Sequence, residues 1–447
     1  MPVEQQREVS LRRVAFASCA GTTIEWYDFY IYGTAAALVF PKVFFPALGP
    51  AAGTVASFGT FAVAFFARPV GAVLFGHYGD RIGRKRTLIA TLLLMGFATV
   101  LIGLLPGAAT IGAAAPIALV LLRFVQGFAV GGEWAGATLL AAEYAPKEKR
   151  GLYGVFPQLG APIAFGLSSA TFLLTGLVLG DSDEAFLEYG WRIPFLASML
   201  LIAVGFYVRT SIAETPAFRA AQADAPADRP RRLPFVEVLR SQPREVLLSA
   251  GSLVSLFAFF YMGTSYLISY GTSADGAGLS RPVILGINVG TAVVFGLATA
   301  LAGAVSDRYG RRTVIVASCA IGIAWGLVLF PLVATGTALA FAVGVSVTLT
   351  VVGVCYGPVG SFLPELFAPE HRYTGAGLAY NIAGILGGAL PPLIAPALAA
   401  SFGGIGIGIM LSTLAVLSLA CTLRLRETRG VPLAHEVTAD ARPRTEV

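Results

Sequence analysis

Residues 76–86 read GHYGDRIGRKR, and residues 303–313 read GAVSDRYGRRT. Gly76, Asp80, Arg81, Gly83 and Arg84 of the first stretch recur as Gly303, Asp307, Arg308, Gly310 and Arg311 of the second, in the same order and spacing. Each stretch follows one apolar run and precedes another. A weaker echo lies further along. Glu143 precedes Arg150 by seven residues, and Glu365 precedes Arg372 by the same interval. One such stretch is a coincidence of composition; two in register mean that the chain is built from two like halves.

The runs flanking these stretches are long enough to cross a bilayer, which takes about 20 apolar residues. The chain is 56% hydrophobic and 13% charged, against about 25% charged in an ordinary soluble domain. A water-soluble core of 447 residues cannot hide that much apolar surface. The pattern predicts spans at 14–40, 54–77, 87–106, 115–141, 152–179 and 193–209, then at 246–271, 282–305, 313–333, 338–364, 373–399 and 402–423. The expected organisation is a six-helix bundle over 1–209, a polar linker over 210–245 containing AAQADAPADRPRRLP, a second bundle over 246–424, and a disordered tail over 425–447. The predicted fold class is an all-α integral membrane protein of twelve transmembrane helices in two pseudo-symmetric bundles. Direct repeats of this kind are related by an axis along the membrane normal, and the substrate site lies where the halves meet.

Charge sets the expected orientation. Among the 31 Lys and Arg, Lys42, Arg192 and Arg281 fall in loops of one side and Arg68 and Arg123 within spans. All the rest lie on the other side, together with both termini. Positively charged loops stay in the cytoplasm, so both termini are expected there, in a bacterial inner membrane. This distribution also removes the nucleic-acid reading that an overall pI of 9.2 invites. Cys19, Cys319, Cys355 and Cys421 sit in apolar runs without paired spacing, and His77, His371 and His435 are isolated. Neither a disulfide framework nor a metal site follows. No G-x-x-x-x-G-K-[ST] or H-E-x-x-H pattern occurs, so no cofactor and no enzymatic activity is expected.

The G-x-x-x-D-R-x-G-R pattern resembles the signature of the major facilitator superfamily. GTTIEWYDFYIYG from Gly21, RFVQGFAVGGEWAGA from Arg123, GWRIPFL from Gly190, ETPAF from Glu214 and RYTGAGLAYNIAGILGG from Arg372 resemble the metabolite:proton symporter family within it. Members of that family carry shikimate, α-ketoglutarate, citrate, or proline and betaine. The resemblance implies alternating-access import of a small metabolite with protons, an organic acid first and a zwitterion such as proline or betaine as the alternative. A functional monomer is expected, because each chain already holds both halves.

Ionisable groups inside a span cost about 2.5–3.5 kcal/mol each on insertion scales, so they mark function. Glu25 and Asp28 are three residues apart and share one helical face. Arg123 and Glu133 lie ten residues apart in the fourth span, about 15 Å along its axis. These four are the proton-coupling candidates, and the resemblance points to Arg123 in particular. Arg123 is also a candidate carboxylate clamp, since its planar fork matches that group. Arg68 reads instead as a cation reaching toward the interface. Candidate cavity residues are Tyr27, Tyr30, Tyr32, Gln126, Gln158, Tyr261, Tyr266, Asn288, Tyr356, Tyr380 and Asn381. The repeated motifs are expected to act as loop latches, with Asp80 and Asp307 near helix N-termini, and with Glu143–Arg150 and Glu365–Arg372 as pairs.

Overall fold

The computed structural model describes residues 11–82, 84–131, 138, 149–179, 183–211 and 234–431. Its long helices are α1 (Leu11–Leu38), α2 (Gly49–Ile82), α3 (Arg84–Leu104), α4 (Ala114–Val130), α5 (Arg150–Leu179) and α6 (Arg192–Ser211). There follow α7 (Pro243–Thr272), α8 (Arg281–Tyr309), α9 (Arg311–Val333) and α10 (Ala338–Leu366). A last helical run covers Arg372–Arg424. At 1.5 Å per residue it would extend about 80 Å, far more than one ~30 Å hydrocarbon core needs. Gly403, at φ 66° and ψ −169°, divides it. Only glycine takes that conformation without strain, so the run is two spans, α11 (372–402) and α12 (404–424).

The packing repeats as the sequence does. In the first half α1 packs on α5, α2 on α4, α3 on α4 and α3 on α6; in the second, α7 packs on α11, α8 on α10, α9 on α10 and α9 on α12. Each contact recurs six helices later. The halves meet through α5 against α8, and through the equivalent pairing of α11 against α2. Large apolar side chains such as Phe97, Leu121, Val178, Leu200, Leu301 and Phe402 face outward, as lipid requires. Buried polar groups line the inside. The most enclosed span is α7, with 83% of its apolar window buried, and it faces α1 across the molecular axis.

Both described chain ends lie on one face, here the terminal face; the opposite one is the far face. The repeated motif is not a loop as expected. α8 runs on through Asp307 to Tyr309, Gly310 turns at φ 100°, and Arg311 opens α9. A glycine in the left-handed region reverses the chain in one residue, so the polar residues stay helical beyond the membrane. In the first half Gly76, Asp80 and Arg81 belong to α2 and Arg84 opens α3. Their side chains lie outside the described set, as do residues Gly83, Glu133 and Glu143 altogether. Part of the expected linker is helical, over Pro234–Ser241. Residues 425–431 of the expected disordered tail are fastened by hydrogen bonds to the ends of α5, α9 and α10.

Candidate functional site

Two glycines set up the centre. A methyl group on Gly127 of α4, or on Gly131 that caps its C-terminus, would collide with the backbone of α2 at Ala64 or Arg68. Their absence of side chain lets α4 press on α2, and both helices then present their arginines to one aromatic cluster. The Arg123 guanidinium carbon lies 3.9 Å from the centroid of Tyr32, 4.4 Å from that of Phe29 and 5.1 Å from that of Phe61. Aromatic faces attract a cation most strongly where water is excluded, and Arg123 is 0% exposed.

A hydrogen-bond chain leads from Arg123 to the buried carboxylate of α1. Arg123 Nη1 donates to Gln126 Oε1 at 2.7 Å, and Gln126 Nε2 donates to Thr99 Oγ1 at 2.7 Å. Thr99 Oγ1 lies 3.0 Å from Asp28 Oδ2 and 2.9 Å from the Met95 carbonyl oxygen. Its one hydrogen therefore has two acceptors. Asp28 and Arg123 interact electrostatically, connected through α3 and α4 and not by a direct ion pair among the described residues. Thr99 was not singled out from the sequence. A lone hydroxyl in an apolar span has no pattern to mark it.

The tyrosines divide. Tyr30, Tyr261, Tyr356 and Tyr380 come from α1, α7, α10 and α11 and converge closely enough to interact electrostatically. Tyr32 donates its hydroxyl hydrogen bond to Thr60 Oγ1 at 2.7 Å while its ring lies beneath Arg123. Tyr27 does not join them. Its hydroxyl turns to Thr171 and the Pro194 carbonyl, because its position on α1 faces α5 and α6. Tyr266 packs on Phe58 toward the far face. Gln158 donates to the Tyr356 carbonyl oxygen at 3.0 Å and Asn381 to that of Gly131 at 3.2 Å. These two amides therefore brace one half against the other. Asn288 is buried on α8. Glu25 is half-buried on α1.

Arg68 corrects the expectation most clearly. It does not reach for the interface: it is 6% exposed, with its guanidinium carbon 4.6 Å from the centroid of Phe29 and 4.9 Å from that of Phe65. The pressure of α4 on α2 turns this residue inward, where aromatic faces replace water. The Tyr261 hydroxyl faces it without closing a hydrogen bond of good geometry. Among the described residues no three His, Cys, Asp or Glu side chains come together as metal ligands.

At the terminal face, the Asp307 carboxylate accepts from Gly151 N at 2.7 Å and from Leu152 N at 2.9 Å. These are free N–H groups at the start of α5, where the helix dipole favours an anion. Arg311 bridges Asp307 at 2.9 Å and Glu365 at 3.5 Å. Glu365 also accepts from Thr428 Oγ1 at 2.6 Å, so its partners are Arg311 and Thr428 and not Arg372. Arg150 donates to the Val431 carbonyl oxygen at 2.9 Å. Arg372 opens α11, and Arg308 is exposed beside Tyr309, outside the latch. The Glu427 carboxylate accepts from Arg311 N and Arg312 N at the start of α9, repeating for α9 what Asp307 does for α5. At the far face Phe58 packs on Tyr266 and Arg281 lies over the Phe186 ring. Among the described residues, contacts thus join the two halves at both faces.

A bundle of helices repeated about a buried polar centre is the architecture of a carrier, and comparison with known proteins decides which. The Major Facilitator Superfamily matches over residues 19–390. The chain belongs to the major facilitator superfamily. This facilitator is 44% identical to the inner membrane metabolite transport protein YhjE of Escherichia coli, over 94% of this chain and 95% of that one. It is 40% identical to the shikimate transporter of Escherichia coli over 88% and 89% of the two chains, and 33% identical to the proline/betaine transporter of Salmonella typhimurium over 95% and 85%. A crystal structure of a D-xylose-proton symporter superposes with a TM-score of 0.70 at 19% identity, covering 94% of this facilitator and 99% of that chain; that likeness concerns the fold. The protein is a membrane transporter of metabolites and not an enzyme.

Proposed function

We propose that this facilitator imports a small organic acid together with protons, by alternating access through a single chain in the bacterial inner membrane, with both termini cytoplasmic. The observation that carries the reading is the buried chain Asp28–Thr99–Gln126–Arg123. Its chemistry offers two hydrogen-bond settings between Asp28 Oδ2 and Thr99. With Asp28 ionised, the Thr99 hydroxyl donates to the carboxylate. With Asp28 protonated, the acid donates to Thr99 Oγ1, and the Thr99 hydrogen turns to the Met95 carbonyl. Gln126 keeps its bond to Thr99 in both, so loading a proton on Asp28 strips no hydrogen bond from Thr99 or Gln126. Arg123 supplies the positive end of the chain and the fork that suits a carboxylate.

The shikimate transporter among the relatives supports an acid as cargo; the proline/betaine transporters support a zwitterion as the second reading. The test uses purified protein in liposomes, with a pH dye following shikimate, α-ketoglutarate, citrate, proline and betaine in turn. External alkalinisation with an acid is expected, and Asp28→Asn is expected to abolish proton-driven accumulation while sparing downhill exchange. Accumulation by Asp28→Asn equal to that of the parent protein refutes the coupling role.

A further inference from the structure

Proton coupling by the Asp28 chain leaves Arg68 without a task. Arg68 and Arg123 lie over the same ring, 4.6 and 4.4 Å from the Phe29 centroid, so the two guanidinium carbons are no farther apart than those lengths combined. Tyr261 of α7 stands beside Arg68, and Tyr380 of α11 lies within its electrostatic reach. The pair therefore sits where the two halves meet. Nε of Arg68, and Nε and Nη2 of Arg123, are buried without a hydrogen-bond acceptor among the described residues; the hydroxyls of Tyr30 and Tyr261 are likewise unpartnered. Among the described residues the carboxylate that couples to this pair is that of Asp28, through Arg123. Buried charges call for a counter-charge and for acceptors that satisfy their donors.

We propose that Arg68 is a substrate-binding residue, which with Arg123 closes on a carboxylate of a net-negative solute, Tyr30 and Tyr261 taking its neighbouring polar groups. The proposal rests on the organic-acid reading and deepens it by naming the residue that sets the charge preference. Of the three described charges Arg68, Arg123 and Asp28, ionised Asp28 offsets one cation and a solute carboxylate the other, whereas a zwitterion brings no net charge to offset it. An acceptor with two oxygens matches the Nε–Nη edge of a guanidinium in a paired, planar contact. The rings of Phe29, Phe61 and Phe65, packed on one another and on Tyr261, form the apolar wall against which the rest of a small solute rests.

The test compares binding of a carboxylic acid with binding of its primary amide, measured by titration calorimetry on the full-length protein in detergent. Shikimate and α-ketoglutarate with their amides are the probes, and betaine is added as the zwitterion. The parent protein is expected to favour acid over amide. Arg68→Gln is expected to shrink that acid-to-amide ratio by about 10- to 100-fold, the value of a hydrogen bond to a charged group, and to narrow the gap between acid and betaine. Arg68→Lys keeps the charge and loses the fork, so its ratio is expected to fall several-fold. A purely structural role would weaken acid and amide alike. A parent protein with no acid preference overturns the organic-acid reading itself. A parent preference that survives in full in either variant overturns the role of Arg68 and leaves that reading standing. Where Arg68→Gln does not fold, Arg68→Lys alone decides.

Discussion

Replacing Asp307 with Asn keeps the size of the side chain and exchanges one acceptor oxygen for a donor. The carboxylate holds Gly151 N at 2.7 Å, Leu152 N at 2.9 Å and Arg311 Nη2 at 2.9 Å. Asn can accept from one of the two backbone groups and must turn its own N–H₂ toward the other. One charge-assisted bond is lost, about 1.5–3 kcal/mol, and the attraction of the α5 N-terminus for an anion is lost as well, about 0.3–1 kcal/mol. All of this binds α8 to α5, one half to the other, only while the terminal face is shut. The expected shift is therefore about 2–4 kcal/mol toward the state open on that face, or roughly 30- to 1,000-fold in the equilibrium, since 1.4 kcal/mol is tenfold. Spin labels at Lys149→Cys and Tyr309→Cys, both exposed positions flanking the latch, report the opening by pulsed electron resonance in a background lacking the four native cysteines. The Asn variant is expected to show a longer label separation and slower transport, whereas Arg308→Gln, outside the latch, is expected to show neither. A label distribution identical to that of the parent protein would refute the latch.

Three further substitutions test other parts of the structure. Thr99→Val preserves shape and cuts the chain between Asp28 and Gln126; proton-driven uptake in liposomes is expected to fall about tenfold or more, the worth of one bond to a charged group, and undiminished uptake would show that the chain carries no coupling. Gly151→Val places a methyl-bearing carbon 2.5 Å from the Gly303 carbonyl oxygen, so the terminal face cannot shut: turnover should stop while the same label pair reads open, and normal turnover would exclude the close approach of α5 and α8. Glu427→Ala removes the acceptor for two N–H groups at the start of α9, costing about 1 kcal/mol as cap losses do. A small drop in melting temperature is expected, and a parent-like melting curve would mean that the segment after α12 fastens nothing.

The twofold architecture was legible in the linear chain because its causes are local. A span must be apolar over its own length whatever surrounds it, and a repeated motif needs no folding to be recognised. The same holds for Asp28 and Arg123, whose charges stand out against apolar neighbours. Glu427 and Thr428 were not legible. Beyond α12 the chain is polar by any measure, and only the arrival of the starts of α9 and the end of α10 at that point gives those side chains something to hold. Thr99 belongs with them, since its hydroxyl gains meaning only from lying between Asp28 on α1 and Gln126 on α4.

Arg68 separates the two kinds of information most sharply. The sequence by itself determined that a cation stands in the second span, and at a span's end the cheapest course for a long basic side chain is to reach water. Direction is a property of neighbours. Two glycines, one on α4 and one at its C-terminal cap, far away in the chain, let that helix approach the backbone of α2 at Ala64 and Arg68, and Phe29 of α1 and Phe65 of α2 supply the faces that replace water. Span number, repeat and polarity follow from what each segment must satisfy alone in a bilayer. Which polar groups meet at the centre follows from side-chain volumes on other helices, and only the packed structure sums those.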